Sequence, residues 1–244
     1  AIVEREAAPG GAPVQSAGVP TKTLRETALY VTGFRQRDVY GVGLQLDPFE
    51  ALQHLRHRSN QVVQTMTGVV AANIERHGIT LIQGKARLEE GGGVAVTLPD
   101  GGTRRLRADV VLIATGSRPA HPPGVSFEDP DILDSETILR IDRPFGSLVV
   151  IGGGAVGCEY ASIFGALGVD VTLVDRAARL LPFLDGELSD LTAEAFRGMG
   201  IRVLPGAGRA VVERDPEGQR VALESGEVLR PEKVLAAAGR VGNT

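Results

Sequence analysis

The sequence predicts an α/β protein of two units, of which the second has a regular βαβ pattern. Its 244 residues correspond to roughly one and a half to two domains. Two observations lead to this fold class. The second half alternates short apolar strands with helices, as βαβ units do. A glycine-rich turn also joins the first of these strands to its helix, at residues 152–157.

The first half has a less regular pattern. An apolar strand is predicted at Ala1–Glu4, and the Gly- and Pro-rich residues 9–20 indicate a loop. Apolar residues at three- and four-residue spacing predict helices from Thr21 to about residue 36 and from Pro48 to about His77. Four further strands are predicted at Ile79–Gln83, Val94–Leu98, Arg104–Arg107 and Val110–Ala114. Residues 117–146 contain five prolines and little periodicity, which favours a connection between two domains.

The second half repeats strand and helix in a regular order, which is typical of a parallel sheet covered by helices. Strands at Leu148–Ile151 and Val171–Asp175 are each followed by a helix, at Ala155–Leu167 and Glu187–Met199. The remaining predicted strands are Ile201–Leu204, Arg209–Arg214, Arg220–Glu224 and Val234–Ala238.

Composition argues against several classes of protein. Acidic residues outnumber basic ones by 30 to 26, for a net charge of −4, whereas nucleic-acid binding needs a basic face. Aromatic residues make up 4% and Trp is absent, which leaves few platforms for base stacking. No apolar run approaches the ~20 residues of a membrane span, and we expect no signal peptide, because the first residues show neither a positively charged segment nor a long apolar one. The single cysteine, Cys158, suits a reducing compartment. We therefore expect a cytoplasmic protein with no nucleic-acid or membrane partner.

The strongest motif is G-x-G-x-x-G, formed by Gly152, Gly154 and Gly157 between an apolar strand and a helix. Gly152 permits the tight turn, Gly154 lets the backbone approach a pyrophosphate, and Gly157 lets helix and strand pack closely. The helix N-terminus offers N–H groups and a positive dipole end to phosphates. Asp175, 18 residues past Gly157, ends the next strand and can accept bonds from ribose hydroxyls. The motif therefore predicts a dinucleotide site.

The residues next to Asp175 leave the choice of nucleotide open. An acidic residue at this place favours NAD, because it repels a 2′-phosphate. Arg176 and Arg179 favour NADP if they face that phosphate, but both are equally compatible with solvated surface charges. A protein that binds both nucleotides would have this mixture.

Other candidate positions are ambiguous when taken alone. Thr115 and Gly116 follow an apolar stretch, and Glu4 ends a strand where a carboxylate could bind a second ribose. His54 and His57 are three residues apart on a predicted helix, but no third ligand is evident. We therefore predict no metal site.

Several segments resemble the flavoprotein disulfide reductases, and in particular the branch of soluble, Si-specific pyridine nucleotide transhydrogenases. Nearly the whole chain takes part in the resemblance. The matching segments are Gly10-Gly11 with Gly18-Val19-Pro20-Thr21-Lys22, Ala114-Thr115-Gly116-Ser117-Arg118-Pro119, Asp134-Ser135, Gly157-Cys158-Glu159-Tyr160-Ala161-Ser162-Ile163-Phe164, Arg179-Leu180-Leu181 with Phe183-Leu184-Asp185, and Gly239-Arg240 with Gly242-Asn243-Thr244.

The resemblance implies two Rossmann-like domains, for FAD and for NAD(P), the first of them truncated at its N-terminus. The implied boundaries are 1–135 for the partial FAD-binding domain and 136–244 for the NAD(P)-binding domain. It further implies that the parent protein is a homodimer, formed through a C-terminal domain that is absent from this chain.

Individual site residues are also implied by the resemblance. Lys22 and Glu159 would form a catalytic pair beside the flavin, with the Lys22 ammonium within ~4 Å of the Glu159 carboxylate, the usual limit for an ion pair. The residues implied to bind FAD are Glu4, Gly11, Lys22, Ala86, Thr115 and Gly116. Those implied to bind NAD or NADP are Gly152, Gly154, Gly157, Glu159, Asp175, Arg176 and Gly239.

One departure from the family concerns its redox disulfide. The reductases carry Cys-x4-Cys in the flavin-facing loop, whereas Pro13 and Gly18 occupy those positions here. Neither can supply a thiolate, which excludes a dithiol relay to glutathione, lipoamide or mercuric ion. Transhydrogenases usually keep a Cys and a Thr at the two positions, so this loop is unusual even for them.

The function implied by the resemblance is hydride transfer between NADPH and NAD through FAD, with the nucleotides using one site in turn and the direction of transfer left open. Two alternatives stay open. The chain could derive from a relative of dihydrolipoamide dehydrogenase that lost its disulfide. It could also be a nucleotide-binding fragment that is catalytically incomplete, because half of its flavin site is missing.

Overall fold

The computed structural model describes residues 1–33 and 48–243. The helices are α1 (Gly11–Gln15), α2 (Gly18–Gly33), α3 (Pro48–Arg76), α4 (Ala155–Ala166) and α5 (Gly186–Gly198), with a 3-10 turn at Thr137–Arg140. The strands are β1 (Ile2–Glu4), β2 (Leu81–Gln83), β3 (Lys85–Leu88), β4 (Gly93–Thr97), β5 (Thr103–Arg107), β6 (Ser117–Pro119), β7 (Ile132–Leu133), β8 (Ser147–Ile151), β9 (Asp170–Val174), β10 (Arg202–Leu204), β11 (Ala210–Asp215), β12 (Gly218–Leu223), β13 (Val228–Leu229), β14 (Lys233–Ala236) and β15 (Arg240–Gly242).

The described residues of the first half contain two small sheets. Strands β1 and β2 pair in parallel, and β3, β4 and β5 form an antiparallel meander. Alternate residues of these strands turn inward, so that Ile82, Val94 and Val96 form a small buried cluster. The predicted strands at 1–4, 79–83, 94–98 and 104–107 are all present, with bounds shifted by one or two residues.

One helix of the first half begins earlier than the sequence suggests, and a short helix precedes it. Helix α2 starts at Gly18 rather than Thr21, because Pro20 lies in its first turn, where no backbone N–H is needed. Residues 9–20, predicted as a loop, also contain the short helix α1. The end predicted for α2, near residue 36, lies outside the described residues. Helix α3 matches its prediction, and Gly78, with φ +62°, follows it.

The strand predicted at Val110–Ala114 is wrong for this chain. The segment forms no strand, and Val110 and Leu112 are 84% and 87% exposed. Its apolar composition suits a buried strand, but a strand also needs a neighbour that pairs with its backbone. Among the described residues no strand pairs with this segment. Its side chains are therefore left facing solvent.

The second half is organised around a parallel sheet with strand order β10-β9-β8-β14-β7. Leu148 and Val150 on one face of β8 pack in the core that includes Phe164 of α4 and Phe196 of α5. Val149, on the other face, belongs to the core beneath the antiparallel sheet β11-β12-β13. Helices thus cover one face and a meander covers the other, which confirms the predicted α/β class with a parallel sheet.

The connection between the halves is more ordered than its proline content suggests. Strand β7 pairs with β14 of the large sheet, and β6 forms an antiparallel ribbon with β15. The Arg240 side chain donates hydrogen bonds to Ser117 and to Glu136, which ties this ribbon to the 3-10 turn. The predicted boundary at residue 135 stays a prediction, although β7, which precedes it, pairs with the sheet of the second half. Within residues 1–33 and 48–243, no helix has the length and apolar character needed to cross a membrane.

Candidate functional site

The candidate site lies at one edge of the parallel sheet. Because β8, β9 and β14 run in the same direction, their carboxyl ends meet at this edge. Gly152 follows β8, Asp175 follows β9, and Gly239 follows β14. The chain continues from β8 to β9 on one side and returns to β14 on the other, so a topological switch point lies here. Open α/β sheets bind ligands in the crevice at such a point.

The three motif glycines have different structural roles. Gly152 has φ +116°, and a Cβ there would overlap the carbonyl oxygen of Ala237 next to β14. A Cβ on Gly157 would overlap the carbonyl oxygen of Gly152. Gly154 has an ordinary extended backbone, and nothing lies within 4 Å of a Cβ built on it. The fold therefore requires Gly152 and Gly157, whereas Gly154 faces open space that a ligand can occupy.

Helix α4 begins at this turn with no side chain capping it. Its N-cap is Gly154, which provides no side-chain hydrogen bond, and its first turn carries no acidic residue. The first N–H groups of a helix have no partner inside the helix. Together with the helix dipole, they form an attractive place for a phosphate group.

Asp175 is more tightly engaged than its sequence position indicates. One carboxylate oxygen accepts a hydrogen bond from the backbone N–H of Gly153, and the other accepts one from Ala177 N at 2.7 Å. The carboxylate therefore holds the glycine turn in place, in addition to any role with a ribose. Arg176 beside it is exposed, whereas Arg179 pairs with Asp190 at 3.2 Å.

Lys22 and Glu159 meet, as predicted. Lys22 Nζ lies 2.5 Å from Glu159 Oε1, although the two residues are 137 positions apart in the chain. Lys22 comes from the beginning of α2, and Glu159 from the first turns of α4, just after the glycine turn. The Lys22 side chain is 63% exposed and that of Glu159 24%. The contact is confirmed, and the role of the pair at a flavin stays a prediction.

The other residues predicted to bind FAD lie at strand and helix ends or on an exposed strand. Glu4 ends β1, and one of its oxygens accepts a bond from Glu6 N at 3.0 Å. Gly11 starts α1 with φ +58°, and Ala86 is an exposed residue of β3. The carbonyl oxygens of Thr115 and Gly116 accept hydrogen bonds from Asn243, which joins this turn to the end of the described chain.

The one cysteine is placed for packing rather than for redox chemistry. Cys158 Sγ lies on α4 and donates to the Gly153 carbonyl at 3.3 Å. Burial, together with the negative charge of Asp175, raises the pKa of the Cys158 thiol to about 11. The thiol therefore stays protonated at neutral pH, and it is not a nucleophile there.

Two groups of residues in this region were not predicted from the sequence. The Tyr160 hydroxyl bonds to the Ser135 carbonyl and lies near the Thr21 hydroxyl. Arg240 joins Ser117 to Glu136, as described above. An aromatic residue inside an apolar helix signals burial, but a carbonyl acceptor elsewhere in the chain leaves no trace in the sequence. Within the described ranges, no group of three or more His, Cys, Asp and Glu residues is arranged to hold a metal ion.

Comparisons with known sequences point to one family. A family model described as pyridine nucleotide-disulphide oxidoreductase matches residues 3–244. A soluble pyridine nucleotide transhydrogenase of Erwinia tasmaniensis is 36% identical over 244 residues, which cover 100% of this chain and 52% of that protein. A protein of the same name from Mycobacterium bovis is 35% identical over 247 residues, with the same coverage. The chain thus spans about half the length of these curated relatives.

Solved structures agree with the observed fold. The crystal structure of LpdA from Mycobacterium tuberculosis superposes with a TM-score of 0.88 at 26% identity, over 99% of this chain and 53% of that one. The HOCl-induced flavoprotein disulfide reductase RclA from Escherichia coli gives a TM-score of 0.81 at 26% identity, over 99% of this chain and 51% of that one. These likenesses support the predicted Rossmann-like architecture across both halves.

Proposed function

Because the chain belongs to the pyridine nucleotide-disulphide oxidoreductase family, we propose that it carries the nicotinamide-nucleotide site and part of the FAD site of an enzyme that transfers hydride between NADPH and NAD. The observation that carries this proposal is the contact of Lys22 with Glu159 at the start of the helix that follows the glycine turn. The relatives named as transhydrogenases support this proposal.

The residues at the sheet edge fit a nicotinamide nucleotide. Gly154 leaves room for a pyrophosphate, and the uncapped N-terminus of α4 supplies N–H donors for it. Asp175 keeps the turn in shape and lies at the strand end where a ribose binds in such folds. Arg176 is exposed beside it and can pair with a 2′-phosphate. This combination supports use of both NAD and NADP at one site.

The residues of the first half fit part of an FAD site. Gly116, with φ +74°, makes a turn that permits close approach of a ligand, and one Glu4 oxygen beyond its bond to Glu6 can accept from a ribose hydroxyl. When bound, FAD supplies the hydride chemistry that the side chains lack. Lys22 would present a cation to the flavin ring, and Glu159, which contacts Lys22, would hold that cation in place.

A disulfide-dependent reaction finds no support in this chain. Pro13 and Gly18 stand where the reductases carry their cysteine pair, and Cys158 is buried and protonated. Hydride transfer between two nucleotides needs no protein thiol, so the missing pair is consistent with transhydrogenation. The full-length protein is expected to form a homodimer through residues beyond this chain.

The test is transhydrogenation by the full-length protein. We expect stoichiometric FAD, reduction of an NAD analogue by NADPH, and ping-pong kinetics, because both nucleotides use one site in turn.

Lys22→Met should slow flavin reduction by NADPH, measured by stopped flow, more than it weakens nucleotide binding. Activity with lipoamide would instead support the dihydrolipoamide dehydrogenase relative. Full-length protein without flavin would support a nucleotide-binding protein and would overturn the proposal.

A further inference from the structure

A buried tyrosine connects the two halves at one hydrogen-bonded point. The Tyr160 hydroxyl donates to the carbonyl oxygen of Ser135 over 2.8 Å and lies 3.3 Å from Thr21 Oγ1. Because a carbonyl can only accept, the tyrosine proton goes to Ser135. The Thr21 hydroxyl donates to the Ala17 carbonyl, and its oxygen lies within hydrogen-bond distance of the Tyr160 oxygen. We call Thr21, Tyr160 and Ser135 the tyrosine junction.

The tyrosine junction is enclosed. Tyr160 is 1% exposed and Thr21 is 5% exposed. Burial raises the pKa of the Tyr160 phenol, so the hydroxyl remains a donor throughout the physiological pH range. Removing one member leaves a buried polar group that water cannot reach, and such a loss is costly. The junction thus fixes α2, α4 and the connection between the halves to one another.

The acceptor at Ser135 is itself held in place. Asp134 Oδ1 accepts bonds from Glu136 N at 2.9 Å and from Thr137 N at 2.8 Å, which closes a turn around Ser135. Burial acts to raise the pKa of Asp134, but these bonds and one with His121 outweigh it and hold the pKa below its usual value. The carboxylate therefore stays charged, and the Ser135 carbonyl keeps a fixed direction.

The neighbouring ion pair cannot position the helices by itself. The Lys22 side chain is 63% exposed, so solvent screens its attraction to Glu159. Lys22 directly follows Thr21 on α2, and Glu159 directly precedes Tyr160 on α4. Successive residues on a helix point about 100° apart. Each helix therefore turns one residue into the buried junction and its neighbour toward the site.

We propose that Tyr160 is a positioning residue, which sets the separation of Lys22 and Glu159 through its hydrogen bonds to Thr21 and Ser135. The two helices come from different halves of the chain, and the junction fixes them at the level of the ion pair. The consequence for hydride transfer rests on the proposed function, whereas the consequence for the geometry of the helices does not.

Hydrogen–deuterium exchange on the chain itself tests the geometric part. Tyr160→Phe keeps the ring and removes only the hydroxyl, so we expect at least tenfold faster exchange in residues 18–24 and 133–138. The matched control is Ser189→Ala, which removes a 2%-exposed hydroxyl that bonds to Leu180 O inside the second half. That variant should leave exchange in both segments unchanged. Unchanged exchange in Tyr160→Phe would overturn the proposal.

Kinetics of the full-length protein test the consequence for the site. Tyr160→Phe should slow flavin reduction by NADPH about tenfold while the dissociation constant of NADPH changes less than about threefold. Thr21→Val should slow flavin reduction to the same extent. Thr21→Ser should leave the rate of flavin reduction unchanged, because serine retains the hydroxyl. In a Lys22→Met background, Tyr160→Phe should cause no further loss, since it acts through Lys22.

The two kinds of failure are distinguishable. If Lys22→Met alone leaves flavin reduction unchanged, the proposed role of Lys22 fails, while the exchange experiment still decides whether Tyr160 fixes the helices. If the losses of Tyr160→Phe and Lys22→Met multiply, Tyr160 acts independently of Lys22 and the positioning role is overturned.

Discussion

The two halves of the molecule differ in how complete their sheets are among the described residues. In the second half, five parallel strands lie between helices and a meander. In the first half, β1 and β2 form a sheet by themselves, and the apolar segment 110–113 is exposed. The residues proposed to bind a nicotinamide nucleotide all lie in the second half. We expect a flavin site to need more of the protein, since the chain spans about half the length of its relatives.

The largest expected effect is that of Gly157→Ala in the glycine turn, which should lower both the stability of the fold and nucleotide binding. Gly157→Ala places a methyl group against the Gly152 carbonyl, so the backbone must shift. Such overpacking typically costs 1–3 kcal/mol, or roughly 2–4 °C in Tm per kcal/mol for a chain of this size. We expect a marked fall in Tm together with loss of NADH binding, measured by thermal unfolding and by calorimetric titration of the chain.

Gly154→Ala is the matched control, because it adds the same methyl group where nothing lies within 4 Å. Its backbone angles are accessible to alanine, so we expect Tm to fall by no more than about 3 °C, the cost of a poorer N-cap. NADH affinity should nevertheless fall at least tenfold, because the methyl group occupies the path of the pyrophosphate. Unchanged affinity in this variant would show that the turn does not bind a nucleotide.

A smaller effect concerns the choice between the two nucleotides. Arg176→Ala should weaken NADP(H) selectively, since an exposed guanidinium beside the ribose can pair with a 2′-phosphate. A charge-assisted bond of ~1.5–3 kcal/mol corresponds to a loss of about tenfold or more. Arg179→Ala is the control, because Arg179 is engaged with Asp190. Calorimetric titrations with NAD(H) and NADP(H) measure both.

Asp175→Ala should weaken NAD(H) more than NADP(H), again by at least tenfold. Its two hydrogen bonds to the backbone imply that both nucleotides also lose some affinity as the turn loosens. Equal losses of NAD(H) and NADP(H) in Asp175→Ala and also in Arg176→Ala would contradict the assignment of these two residues as selectors.

The second half could be predicted from sequence far better than the first. The turn at Gly152, Gly154 and Gly157 joins a strand to a helix that are adjacent in the chain, so local pattern suffices there. The segment 110–114 has the composition of a strand, yet strand formation depends on a neighbour that local sequence does not specify. The contact of Lys22 with Glu159 was predicted only through the family resemblance. The bond of Tyr160 to a backbone carbonyl was missed, because every residue has a backbone carbonyl and the sequence does not mark which one accepts.

The smallest expected effect concerns the thiol that lies within the more complete half. Because the pKa of Cys158 is raised to about 11, only about one thiol in 10,000 is ionised at pH 7. Alkylation of the folded chain by iodoacetamide should therefore be slow at pH 7 and should accelerate as the pH rises toward 11. After denaturation, titration should find one thiol per chain, with or without prior reduction. Fast alkylation of the folded protein at pH 7 would mean that α4 opens readily. The core of the second half would then be no better protected from solvent than the first half.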